Sequence, residues 1–296
     1  MKNSLFACMA LAVSMIGATS CGKRGEEGGA QRVTIKTAGS TTLFPVMTAW
    51  AENYAKVTKG ATVTVAAGGS GVGINELIEG RIDIANASRP MKEEEKKKVK
   101  DKFGKEAVET IVGYDALAIF THLNNPLKEI SIEQLHNIYA KGATITKWDQ
   151  IAPGGLTDDI RVLGRESNSG TGEYFKEAVC GKGPDGKLLE FREGIAEMNS
   201  SQAVIDTLAT TKNALAYDGM AFKTDRVHWL AVSKKSGEPA VTPSADDARS
   251  GKYPLARKLY LYTIGEPTGE VKKFIDWTLS AEGQAILAKT GTVTLK

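Results

Sequence analysis

The chain has few cysteines, almost no net charge and no apolar run of the roughly 20 residues that a membrane-spanning helix needs. Each shortage excludes something. Three cysteines cannot staple a small disulfide scaffold, and Cys8 and Cys21 both fall in the first 21 residues, which leaves Cys180 with no partner. Lys and Arg number 38 against 35 Asp and Glu, a surplus of +3 that argues against a basic patch for nucleic acid. The three histidines, His122, His136 and His228, show no metal-ligand spacing. The GxxxxGK[ST] phosphate loop is missing and no GxGxxG opens a dinucleotide fold, so no nucleotide cofactor is expected. With 296 residues and 42% hydrophobic content, what remains is one large globular domain or two medium ones.

The N-terminus has a leader pattern. Lys2 precedes an uncharged stretch over 5–18, too short to span a bilayer, and small residues follow it. This describes a secretion signal over 1–20. Ala18-Thr19-Ser20-Cys21-Gly22 resembles a bacterial lipobox, which implies cleavage before Cys21 and acylation of its sulfur. The alternative is an ordinary signal peptide with Cys21 incidental. Residues 21–31 lack apolar periodicity and read as a tether.

Beyond the tether, strand-like and helix-like segments alternate, the pattern of an α/β fold. Leu43, Met47, Trp50, Tyr54 and Val57 mark one face of a helix. Strands are expected near 33–36, 62–66, 82–85, 116–121, 160–163, 227–232 and 259–263. Helices are expected over 74–79, 132–139, 171–179, 203–208, 271–279 and 281–289, with Ser280 capping the last. Residues 91–109 carry many Lys and Glu and read as one solvated helix.

Three loops share one composition. Gly39-Ser40-Thr41-Thr42, Gly68-Gly69-Ser70-Gly71-Val72-Gly73 and Ser167-Asn168-Ser169-Gly170-Thr171-Gly172 each follow a strand and open a helix. A helix start offers unpaired N–H groups and the positive end of the dipole. Glycine lets a ligand approach the backbone, and hydroxyls add donors. Together they suit an oxyanion. Arg165 stands four residues before Ser169 with a guanidinium able to hold two oxygens, and Ser88 adds a hydroxyl after another strand. No nucleophile–base pair accompanies them, so binding without catalysis is expected.

These motifs, in order, resemble the phosphate-binding proteins of bacterial ABC-type phosphate uptake systems. Further matching pieces are Asp83-Ile84-Ala85-Asn86-Ala87-Ser88, Ile138-Tyr139 with Trp148 and Asp149, and Glu282-Gly283-Gln284. The resemblance implies a two-lobed periplasmic-binding-protein fold (type II-like) with the ligand in the cleft. It places lobe one at 32–113 and 256–296 and lobe two at 114–255, with crossings near 113–116 and 253–257. It implies a monomer that binds inorganic phosphate outside the cytoplasmic membrane, held there by lipid on Cys21, and delivers it to ABC permease subunits. The phosphate ligands carried over are Ser40, Thr41, Thr42, Ser70, Ser88, Arg165, Ser169, Gly170 and Thr171.

One position departs from part of the family. After Ser88, where an Asp often accepts the proton of phosphate, this chain has Arg89. Asp115, at the first expected crossing, is the candidate replacement acceptor; capping of a strand end is its alternative role. Arg89 also keeps open a receptor for sulfate, molybdate or tungstate, and a surface protein that reuses the fold is a further alternative.

Overall fold

The computed structural model describes residues 32–152, 155–166 and 169–296. The expected signal (1–20), Cys21, the tether and the loop residues 167–168 lie outside them. Residues 32–296 form one compact unit. No helix among the described residues is long and apolar enough to cross a membrane.

Among the described residues, ten strands and nine α-helices follow one another, mostly in alternation. In chain order they are β1 (Val33–Gly39), α1 (Phe44–Val57), β2 (Ala61–Ala67), α2 (Ser70–Ile78), β3 (Ile84–Ala87), α3 (Glu93–Phe103), β4 (Ala107–His122), β5 (Glu129–Ser131), α4 (Ile132–Tyr139), β6 (Arg161–Arg165), α5 (Gly170–Phe175), β7 (Ala196–Met198), α6 (Ser201–Thr210), β8 (Ala214–Gly219), β9 (Val227–Ser233), α7 (Ala245–Ser250), β10 (Ala256–Ile264), α8 (Gly269–Leu279) and α9 (Ala281–Lys289). A π-helical turn, Lys176–Cys180, continues α5.

The main path of the sheet runs β2-β1-β3-β10-β4-β8-β6-β7, with β9 joining β4 and β5. β1, β2 and β3 pair in parallel, as strand–helix–strand units require. β4 is shared between two halves. Its first part, through Ala116, pairs antiparallel with β10; from Leu117 onward it pairs with β8 and β9. Apolar layers cover both faces of each half. Around β1 and β10 lie Trp50, Met47 and Phe274 on one side and Ile74, Leu77 and Tyr262 on the other. Around β8 the layers hold Tyr139 and Phe175, and Val204 and Leu208.

Two expectations change. The charged segment over 91–109 is not one helix. α3 stops at Gly104, which takes the left-handed conformation (φ 64°), and β4 begins three residues later. The expected 171–179 helix begins one residue earlier, and its second half is π-helical. Ser280 caps α9 as its position predicts, accepting from the Gly283 N–H.

Cys180 is buried at the end of the π-turn. Burial pushes its thiol up to about 12. An aromatic disulfide reagent at neutral pH is therefore expected to modify residues 32–296 at least ~100-fold more slowly in the native than in the urea-unfolded state, because the thiolate is scarce and inaccessible. Thiol release followed by absorbance checks this.

Candidate functional site

The strands of the first half end at one edge, and their loops hold the candidate donors. β1 ends at Gly39, whose φ of 143° brings its backbone against Asn86 of β3: a Cβ there would sit 2.0 Å from the Asn86 carbonyl oxygen. The Ser40 N–H donates to that oxygen at 2.9 Å, and Gly69 N–H donates to Gly39 O at 2.9 Å, so the first two loops and the β3 turn are pinned together. Ser40 is buried, and its hydroxyl accepts weakly from Leu43 N–H at 3.4 Å. Among the described residues, the N–H groups of Thr41, Thr42, Ser70 and Gly71 are spent on no backbone carbonyl, as first-turn N–H groups should be. Ser70 Oγ lies 3.2 Å from Ser88 Oγ and accepts from Ser88 N–H at 3.1 Å.

In the second half, Arg165 is the last residue of β6 and Ser169 caps α5, accepting from Gly172 N–H. Arg165 is held from behind. Its Nη1 donates to Ser201 Oγ at 2.9 Å and to the Asp218 carboxylate at 3.1 and 3.3 Å. Asp218, wholly buried on β8, also accepts from Ser201 Oγ and from Gly219 N–H at 2.7 Å. Nη2 takes part in none of these bonds. Burial pushes the Asp218 carboxyl above its ordinary value, and Arg165 pulls it back.

The two sets of loops meet. Thr42 Oγ1 donates to Gly170 O at 3.3 Å, Thr41 donates to the Glu173 carboxylate, and a Cβ on Gly170 would lie 2.6 Å from Thr42 Cα. Two cavities flank this contact. The larger, about 420 Å³, is bordered by Thr41, Thr42, Asp115, Arg165, Ser169, Gly170 and Thr171. The smaller, about 150 Å³, is bordered by Ser40, Thr41, Ser70 and Ser88, together with Arg89, Glu173, Glu177 and Arg257. All ten sequence-derived residues therefore border one cavity or the other, and Thr41 borders both.

Arg89 does not present a bare charge. Its guanidinium grips Glu95 in a two-point pair at 2.8 and 2.9 Å. Burial pushes Glu95 up, but Arg89 and the Lys92 N–H outweigh it and hold the carboxyl below its usual value. Asp115 faces the larger cavity and meets Arg257 Nε at 3.3 Å. Burial raises its carboxyl, and Arg257 opposes the rise. Asp218, Ser201, Glu173 and Arg257 were not legible as site residues; a charged residue closing the apolar run of β8 was the one signal for Asp218. Among the described residues, no group of His, Cys, Asp and Glu could hold a metal ion.

The model of the PBP superfamily domain matches residues 25–282. The chain belongs to the PBP superfamily. It is 32% identical over 276 residues to the phosphate-binding protein PstS of Pseudomonas aeruginosa, covering 88% of this chain and 83% of that one. An ABC-type phosphate transport receptor from Vibrio cholerae superposes with a TM-score of 0.70 at 25% identity, over 88% of this chain and 99% of the other. PstS from Borrelia burgdorferi gives 0.69 at 28% identity, over 90% and 100%. The two-lobed periplasmic-binding-protein fold that the resemblance implies is the fold of this superfamily member.

Proposed function

We propose that the protein binds inorganic phosphate outside the cytoplasmic membrane and hands it to the permease of an ABC transporter. One observation carries the reading: Thr41, Thr42, Arg165, Ser169, Gly170, Thr171 and Asp115, drawn from distant segments, border one cavity. Unspent N–H groups, hydroxyls and one arginine can hold a tetrahedral oxyanion without reacting with it. The relatives named as phosphate-binding proteins support the choice of anion. Arg89 argues less for an unprotonated oxyanion than its position implies, because Glu95 cancels its charge.

Asp115 is the acceptor in this proposal. Phosphate near neutral pH has a proton to donate and sulfate has none, so an ionised carboxylate on the wall attracts the first and repels the second. Arg257 favours the ionised form. The lobes of the proposal are 32–113 with 256–296, and 114–255; the functional form is a monomer tethered through lipid on Cys21.

Calorimetric titration of residues 32–296 with phosphate and with sulfate tests the reading. Phosphate is expected to bind at micromolar concentration or tighter, and Asp115→Asn is expected to cut the phosphate-to-sulfate preference by about tenfold or more. No phosphate binding by the wild type removes the function. An unchanged preference in the variant removes the role of Asp115.

A further inference from the structure

Arg257 is the second residue of β10, where that strand pairs with β4, and no loop motif announces it. Its guanidinium touches both halves of the molecule. Nε donates to Asp115 Oδ2 at 3.3 Å, Nη1 to Glu177 Oε2 at 3.0 Å and Nη2 to Thr42 Oγ1 at 2.9 Å. One face lies on the Tyr174 ring, 3.8 Å from its centroid. The face is therefore closed, and only the edges can reach a ligand. A guanidinium has five N–H groups, and these bonds use three.

The two left over matter because of where the side chain sits. Arg257 borders the smaller cavity with the hydroxyl-bearing residues Ser40, Ser70 and Ser88, whereas Arg165 borders the larger one. The other arginine of the smaller cavity, Arg89, is committed to Glu95. Arg257 is also mostly buried, at 15% side-chain exposure, so a charge-assisted bond from it is little weakened by solvent.

We propose that Arg257 is a direct ligand of the oxyanion, a second guanidinium that approaches it from the smaller cavity. This rests on the phosphate reading above. The unspent N–H groups can serve the oxyanion, and Glu177 competes with it for the guanidinium's charge: its carboxylate, on the border of the same cavity, repels an anion placed there. Glu177 is half exposed and can give way to water at little cost.

That competition separates a ligand from a brace. A brace works through Glu177, so breaking the pair from either end weakens binding. A ligand is released by losing Glu177. Phosphate affinity is measured calorimetrically for the wild type, Arg257→Gln, Arg257→Lys and Glu177→Gln, with thermal unfolding of each. Arg257→Gln is expected to weaken phosphate about tenfold or more, and Arg257→Lys by less, since it keeps the charge and loses the fork. Glu177→Gln is expected to bind as tightly as the wild type or more tightly. Arg257→Gln within about twofold of the wild type overturns the proposal. So does Glu177→Gln weakening binding as much as Arg257→Gln does. If Arg257→Gln fails to fold, Glu177→Gln decides alone: phosphate binding weakened about tenfold or more overturns the proposal, and binding at least as tight as the wild type supports it. A wild type that binds no phosphate overturns the functional reading itself, a result distinct from either.

Discussion

Replacing Asp218 with alanine is expected to destabilise the domain by about 3–5 kcal/mol and to weaken oxyanion binding in the same stroke. Asp218 is wholly buried, and its carboxylate collects four bonds: two from Arg165 Nη1, one from Ser201 and one from Gly219. Without it, Arg165, Ser201 Oγ and Gly219 N–H lose their acceptor at once. Arg165 also loses the contact that fixes its aim into the larger cavity. Urea unfolding gives the stability loss, and calorimetry with phosphate gives the binding loss. Asp218→Asn keeps an acceptor of the same shape, so it is expected to lose less on both counts.

The pH behaviour has a definite sign. The folded-state carboxyl of Asp218 is raised above its ordinary value, so ionising it costs stability as pH rises through that raised value. The cost is absent below the ordinary carboxylate range. Asp218→Asn removes this dependence, and its stability should therefore vary less with pH between about 4 and 7 than that of the wild type. A wild type and variant with parallel profiles would contradict the assignment.

Gly39→Ala carries the second large effect, about 3 kcal/mol or more. Two independent obstacles coincide. A φ of 143° is one that side-chain-bearing residues rarely adopt, and the new Cβ would lie 2.0 Å from Asn86 O and 2.6 Å from its side-chain oxygen. The neighbour is backbone of β3 and cannot rotate away. Relief must come from separating β1 and β3, which loosens the bonds from Ser40 and Gly69 that lock the first two loops. Gly69→Ala is the control. Its φ is also positive, at 89°, but nothing lies within 4 Å of the added methyl. Only the conformational cost of that backbone, φ 89° with ψ 155°, about 1–3 kcal/mol, is expected there. Equal melting temperatures for the two variants would refute the steric argument.

The loops were readable because their chemistry is local. Glycine, hydroxyl and helix start occur within four to six residues, and the Gly39, Ser70 and Ser169 loops lie where that pattern put them. The apolar stripe of α1 was equally plain. β8 was missed because Ala214–Gly219 is buried on both faces, so it lacks the alternation that marks a half-exposed strand. β4 was read as six residues, not sixteen, because its first part follows a charged helix and carries Glu109 among apolar neighbours. Arg257 was invisible for a different reason. Its partners stand at positions 42, 115 and 177, and nothing in the local stretch Ala256-Arg257-Lys258 distinguishes it from a surface arginine.

The buried Cys180 has a practical consequence. A thiol that is both sheltered and protonated leaves 32–296 without a competing nucleophile for maleimide dyes at neutral pH. A single cysteine introduced at the mouth of the larger cavity, for instance Thr292→Cys, would then take one fluorophore at one place. Its emission would report occupancy of the cavity directly, at the loss of one hydroxyl contact, that between Thr292 and Thr290.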